Sequence, residues 1–189
     1  MTRVVYYTAT TLDGFIADEH DSLAWLFEQQ TVEGGPGGYD EFIAGIGALV
    51  MGATTYAWVL DHLRTTGEPW LYAVPCWVFT HRDLAPVTED VHVVQGLVAE
   101  HHAAVTAAAG DRDVWVVGGG DLAGEYADQG LLDRLVLSIA PVTLGAGRPL
   151  FPRRHDLRLV EHGRNGDFLT ATYDVVGPRS DGPHETDQT

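Results

Sequence analysis

Four short apolar runs do most to restrict the fold of this 189-residue chain: IGALVMG (46–52), CWVFTH (76–81), VHVV (91–94) and VWVV (114–117). Such runs read as strands buried by neighbours. Segments of helical composition separate them, with ATTYAWVLDHL after the first and LVAEHHAAVTAAAG before the last. Gly110 is a suitable terminator for the second of these helices. Strands that alternate with helices call for a parallel sheet joined by helical crossovers.

The remaining segments fit that frame. RVVYYTATT (3–11) is β-branched and aromatic and predicts a strand, broken by LDG and continued by a short extended FIA. DEHDSLAWLFEQ predicts a loop and then a short helix capped by Asp21 or Ser22. TVEGGPGG holds four glycines and a proline and is a loop. Residues 39–45 and 121–129 read as helices and LLDRLVLSIAPV as a long strand. Two alternating runs flank RNGDF, which predicts a hairpin about Asn165-Gly166. The expected class is α/β: a mainly parallel central sheet with an antiparallel C-terminal hairpin and helices on both faces. Residues 1–176 form one domain in this reading, and 177–189 a disordered acidic tail.

Composition excludes several partners. The net charge of −16 opposes nucleic acid and anionic membrane surfaces. No apolar run approaches the ~20 residues of a membrane span, and the N-terminus lacks a signal-peptide pattern. With Cys76 as the single cysteine, no internal disulfide can form, and the chain reads as cytoplasmic. Cys76 itself reads as buried and inert. The nine histidines show no metal-binding spacing, so no metal site is expected. Trp25 and Trp70 fall in loop-rich stretches and are candidates to wall a pocket for a flat heterocycle.

The run VWVVGGGDLAGEYADQG places three glycines between a strand and a helix. A tight turn explains them in one way. A dinucleotide fingerprint is a second reading, because Gly118, Gly120 and Ala123 fit G-x-G-x-x-A. Against it, the motif lies late in the chain, and Asp133 precedes the next strand where a ribose-binding acid should end it. A third reading is a phosphate cradle assembled from several strand ends. It predicts a second strand–glycine–helix junction, and ALVMGATTYAWV supplies one at Gly52, Thr54 and Thr55. Helix N-termini present N–H donors and positive partial charge to an anion. Thr54 and Thr55 also suit ordinary N-capping.

Taken in order, TLDGFIA, VMGATTY, VFTH, VVGGG and IAPVTLGAGRPLF resemble the dihydrofolate reductase-like superfamily. The closer likeness is to the riboflavin-biosynthesis reductase branch, the RibD C-terminal domain type, over about residues 3–176. The resemblance implies NADPH as hydride donor. It implies that Ala9 and Ile16 face the nicotinamide carboxamide, that Gly52, Thr54 and Thr55 form the helix-end phosphate site, and that Thr80 and His81 lie near the adenosine 2′-phosphate. It further implies that Gly118, Gly119 and Gly120 form the pyrophosphate-side turn, with a cis peptide between Gly118 and Gly119. Ala53 stands where the family often has Arg or Lys, and Arg82 or Arg64 are candidates to compensate. For catalysis, Asp40 or Glu41 falls near the position of the substrate-binding carboxylate. Asp13 either organises the loop over the nicotinamide or forms an Asx turn before Gly14.

Two functions fit these readings: an NADPH-dependent reductase of a small pterin-like or pyrimidine-like heterocycle, carbonyl or imine, or a nucleotide- or ligand-binding protein that kept the fold without the chemistry. The branch commonly pairs as dimers, so a homodimer is expected, with Leu144, Leu150 and Phe151 on an apolar loop as contact candidates.

Overall fold

The computed structural model describes residues 2–180. In chain order the elements are β1 (Val4–Thr11), β2 (Phe15–Ala17), α1 (Ala24–Phe27), α2 (Tyr39–Ala44), β3 (Ile46–Gly52), α3 (Ala53–Thr66), β4 (Cys76–Phe79), β5 (Val91–Val94), α4 (Val98–Ala109), β6 (Asp113–Gly118), α5 (Gly120–Asp128), β7 (Arg134–Ala140), β8 (Arg148–Pro149), β9 (His155–Asn165) and β10 (Phe168–Pro178). Eight strands form one sheet in the order β5-β4-β3-β6-β1-β7-β10-β9. Every pairing from β5 to β7 is parallel, and β10 runs antiparallel to both β7 and β9. The expected α/β class therefore holds, antiparallel C-terminal hairpin included.

The apolar runs behave as buried strands because helices cover both faces. Along β3, Ala48 and Val50 join α4 and α5 in one cluster, whereas Leu49 and Met51 join Tyr56 of α3 in the other. Period-2 alternation thus sends neighbouring residues to opposite cores, and no polar position is tolerated. Tyr126 and Leu135 are fully buried in the first cluster, and burial of side chains this large stabilises by ~1.5–3 kcal/mol each. Cys76 is fully buried in the second, and burial pushes its thiol up to about 12.

Some boundaries differ from the sequence reading. Neither Asp21 nor Ser22 is the N-cap of α1; Leu23 takes that place with no side-chain cap. Asp21 instead has a positive φ of 61° and pairs with Arg148. A two-stranded ribbon of β2 and β8 went unforeseen, because a two-residue strand carries no periodic signal. β10 runs to Pro178, two residues past the expected domain end. The rest of the expected acidic tail, 181–189, lies outside the described residues.

The expected apolar loop does not stand free. Leu150 and Phe151 pack on the α4/α5 core, and Leu144 packs near Trp25, Ala140 and Phe168. Exposed apolar side chains lie on the terminal hairpin, at Leu157, Leu159, Val160, Leu169 and Val176, and others, such as Leu12, Phe27 and Leu97, are scattered over earlier segments.

Candidate active site

β3 and β6 are adjacent and parallel, and each ends in glycine where a helix begins. The connections from these two strands diverge, β3 leading to β4 on one side and β6 leading past β1 to β7 on the other. A ligand crevice forms at the carboxyl ends of strands at such a switch point. Here it is a cleft of about 430 Å³ lined by Ile16, Thr54, Thr55, Trp58, Arg82, Gly118, Gly119, Gly120 and Arg148, among others.

The helix ends in this cleft are open. α3 begins at Ala53 after Gly52, and α5 at Gly120 after Gly119; neither has a side-chain cap. Thr54 and Thr55 therefore do not cap their own helix, and its first N–H groups keep their positive partial charge for an incoming anion.

The three glycines have three separate reasons. A Cβ on Gly118 would lie 2.7 Å from Oγ1 of Thr55, so this glycine lets the two junctions touch. Gly119 has φ 97°, which L side chains rarely adopt. At Gly120 a Cβ would collide with the carbonyl oxygens of Pro149 and Leu150, which bring β8 and the segment after it against the turn. The expected cis peptide between Gly118 and Gly119 is absent: none occurs among the described residues, and the positive φ of Gly119 makes the turn with a trans bond.

The cations at the cleft differ in availability. Arg148 is engaged by Asp21, at 2.6 and 3.1 Å. The guanidinium of Arg82 makes no ion pair among the described residues. Thr80 is buried, and its hydroxyl accepts the Arg82 N–H at 2.9 Å. His81 is exposed and does not line the cleft. Acids are present too: Asp21 is matched by Arg148, and Asp121 in the first turn of α5 pairs with Arg153 at 3.4 Å.

A second cavity of about 750 Å³ shares Thr8, Leu23 and Val117 with the cleft. Ala9 of β1 lines it, as do Asp40 and Glu41 from the first turn of α2. Its walls are aromatic. Tyr7 stacks on Phe42 with ring centres 4.1 Å apart and donates its hydroxyl to the Gly37 carbonyl at 2.9 Å. Burial foremost, then Tyr39 and the Asp40 charge, pushes the Tyr7 phenol up to about 12. Trp115 donates its ring N–H to the Tyr7 carbonyl at 2.9 Å and meets Tyr39 edge-on. The tryptophans expected to wall a pocket do not: Trp25 turns inward onto Ala140 and Phe168, and Trp70 packs edge-on against Tyr56. Trp115 and Trp58 take that role. Trp115 lies in the VWVV run that reads as a buried strand and Trp58 in the helix α3, and nothing local in the sequence marks either as a cavity wall.

The glycine-rich loop over this cavity is pinned by the distant hairpin. Asn165 accepts the Val32 N–H at 2.7 Å, and Asp167 accepts the Gln30 N–H at 2.8 Å. These two residues escaped the sequence reading; the NGD turn signal marked a hairpin and gave no hint of what its side chains hold.

Asp13 lines neither cavity. Its carboxylate accepts from the Thr11 hydroxyl at 2.6 Å, from the Leu144 N–H at 3.0 Å and from the Gly145 N–H at 2.7 Å. The Thr11 hydroxyl first, then these amides, hold the acid below the usual carboxylate range. It ties the turn after β1 to the loop after β7.

Residues 70–167 match the family model of the RibD C-terminal domain. The chain is also 32% identical over 155 residues to the uncharacterised protein YwjB of Bacillus subtilis, spanning 79% of this chain and 82% of that one. The chain belongs to the RibD C-terminal domain family. This is a family of reductase domains with the dihydrofolate reductase-like fold. A second uncharacterised B. subtilis relative, YyaP, is 25% identical over 169 residues, 84% of this chain and 86% of its own. Among solved structures, a candidate riboflavin biosynthesis protein from Shewanella sp. PV-4 superposes with TM-score 0.75 at 28% identity, covering 93% of this chain and 99% of its own. The bifunctional diaminohydroxyphosphoribosylaminopyrimidine deaminase/5-amino-6-(5-phosphoribosylamino)uracil reductase of Thermotoga maritima shares the fold with TM-score 0.64 at 16% identity, over 92% of this chain and 56% of its own. Among the described residues no helix is long and apolar enough to cross a membrane.

Proposed function

We propose that this chain is an NADPH-dependent reductase whose cofactor lies in the cleft at Gly52 and Gly118–Gly120 and whose substrate, a small flat heterocycle, lies in the adjoining cavity. The observation that carries the reading is the joining of two uncapped helix N-termini in one cleft with an aromatic cavity across a shared wall. The helix ends at Ala53–Thr55 and Gly120–Leu122 would hold the diphosphate through their free N–H groups. Arg82 is the cation free to meet a 2′-phosphate. When bound, the cofactor supplies a hydride to the electrophilic carbon of a C=N or C=O group.

The chain's own residues do the rest. Thr8, Leu23 and Val117 line both spaces, and at this border they would position a bound cofactor's ring against the substrate. The aromatic walls offer flat apolar surface to the acceptor ring. Transfer of hydride leaves one proton to be delivered to nitrogen or oxygen, and Asp40, lining the cavity, is the candidate source, with Glu41 beside it. Tyr7 is unsuited to that task, because its proton is held to about 12 and its hydroxyl is committed to Gly37.

The alternative is a ligand-binding protein without the chemistry. NADPH titration followed by Trp58 fluorescence tests cofactor binding. Thr54 is exposed in the first turn of α3, so Thr54→Asp should stabilise that helix end by ~0.3–1 kcal/mol while repelling the diphosphate. The expected result is a higher midpoint of unfolding with weaker NADPH affinity; unchanged affinity overturns the cofactor site. Tight binding without oxidation of NADPH by any of a panel of pterins, pyrimidines and cyclic imines would favour the binding-protein reading.

A further inference from the structure

The two cavities differ in the charged residues that line them. Among the described residues, nothing that lines the 750 Å³ cavity is Lys, Arg or His, whereas Glu33, Asp40 and Glu41 all do. The basic residue nearest in sequence to its wall, Arg164, gives its Nε–H to the Gly166 carbonyl at 2.8 Å and does not line the cavity. The N-terminus of α2 opens here too, yet Asp40 and Glu41 stand in its first turn and oppose its dipole. The glycine loop offers no free nest at its main turns, since the Gly35 and Gly38 amides are taken by the Val32 and Gly35 carbonyls. The neighbouring cleft is lined by two cations and two acids: Arg148 is paired with Asp21, and Asp121 stands in the first turn of α5, so Arg82 is the cation there without an ion pair among the described residues, beside two helix ends.

We infer that this cavity selects flat heterocycles that carry no phosphate, and that it favours neutral or cationic rings with amino-bearing edges. The inference rests on the substrate side of the proposed function. A phosphomonoester carries about −1.5 to −2 charges near neutral pH, and three exposed carboxylates on the cavity wall repel it at low ionic strength, within a chain of net charge −16. The faces of Tyr7, Tyr39 and Trp115 attract a cationic or electron-poor ring. Carboxylates accept hydrogen bonds from an amino edge. Phosphate recognition is thereby confined to the cofactor side. The Thermotoga protein is named for a phosphoribosyl substrate, and among the described residues this cavity is lined by no cation to pair with such a group.

Three tricyclic probes of similar outline separate the possibilities: proflavine, a cation; riboflavin, neutral; and riboflavin 5′-phosphate, an anion. Each is titrated into the full chain with and without saturating NADPH. Riboflavin should bind about tenfold or more tightly than its phosphate at low ionic strength, and proflavine at least as tightly as riboflavin. The gap should narrow in high salt and in a Glu33→Gln/Asp40→Asn/Glu41→Gln variant. Tyr39→Ala should weaken both favoured probes, which separates cavity binding from general attraction of a cation to an acidic surface. Equal or tighter binding of the phosphate, no binding by any probe, or indifference to Tyr39→Ala overturns the inference. If the probe order holds and NADPH fails to bind, the cofactor reading falls and the cavity's selectivity stands. If NADPH binds and the order reverses, the selectivity alone falls.

Discussion

Gly118 lies against Thr55 so closely that a Cβ added to it would sit 2.7 Å from the threonine Oγ1 and 3.1 Å from its Cγ2. The two strand–helix junctions of the cleft are therefore in contact through one missing side chain. Gly118→Ala should destabilise by ~1–3 kcal/mol through overpacking and weaken NADPH binding by forcing the helix ends apart. The Thr55 Cβ would be 3.5 Å away, an ordinary contact, so Thr55→Ala should recover much of the loss. A double-mutant cycle by urea unfolding reads the coupling, and strictly additive effects would remove this account of Gly118. Gly119 is a poorer test site, since at φ 97° any side chain strains the backbone whatever occupies the cleft.

On the proposed cofactor site, Arg82 should separate the two nicotinamide cofactors. Its guanidinium lines the cleft without an ion pair among the described residues, whereas Ala53 stands at the helix end. Hydrogen bonds to a charged group are worth ~1.5–3 kcal/mol, so Arg82→Ser should raise the Kd for NADPH by about tenfold or more and leave NADH little changed. Equal losses for both cofactors would show that Arg82 does not read the 2′-phosphate.

Asp13 should make the ribbon wall acid-sensitive. Its carboxylate is held below the usual range by Thr11, Gly145 and Leu144. A depressed folded pKa means that the stabilisation is present above the unfolded value, near ~3.9, and is lost as pH falls through the folded one. Asp13→Ala should lower the unfolding midpoint at pH 7 and expose the Leu144 and Gly145 amides to faster hydrogen exchange. The difference from the parent should shrink below about pH 4. A gap that persisted unchanged at pH 2 would assign the effect to packing and not to ionisation.

The proposed homodimer finds its support at the sheet edge and not in the apolar loop. β9 is the terminal strand, and it leaves Leu157, Leu159 and Val160 exposed, with Val176 of β10 exposed next to the Val175 that pairs with Leu157. An open edge with apolar side chains readily pairs with another copy. Sedimentation equilibrium should give a mass near twice 20.5 kDa, and Leu159→Glu should return it to one chain. A single-chain mass at every concentration, salt having no influence, would rule out a stable dimer.

The sequence by itself determined the local elements and their class. Apolar runs such as IGALVMG and VWVV can be satisfied only as strands covered on both faces, and the glycines at 52 and 118–120 mark the turns where such strands meet helices. Those signals are local, set by side-chain period and backbone freedom. Tertiary structure decided which distant groups meet. It set Gly118 against Thr55, and Gly120 against the Pro149 and Leu150 carbonyls. It gathered Tyr7, Tyr39 and Trp115 from separate elements into one wall, and pinned the loop at Val32 from Asn165, 133 residues away. It also turned Trp25 inward and left Trp115 at the cavity. Such pairings follow from strand order and crossover geometry, which bring together residues that no periodicity along the chain connects.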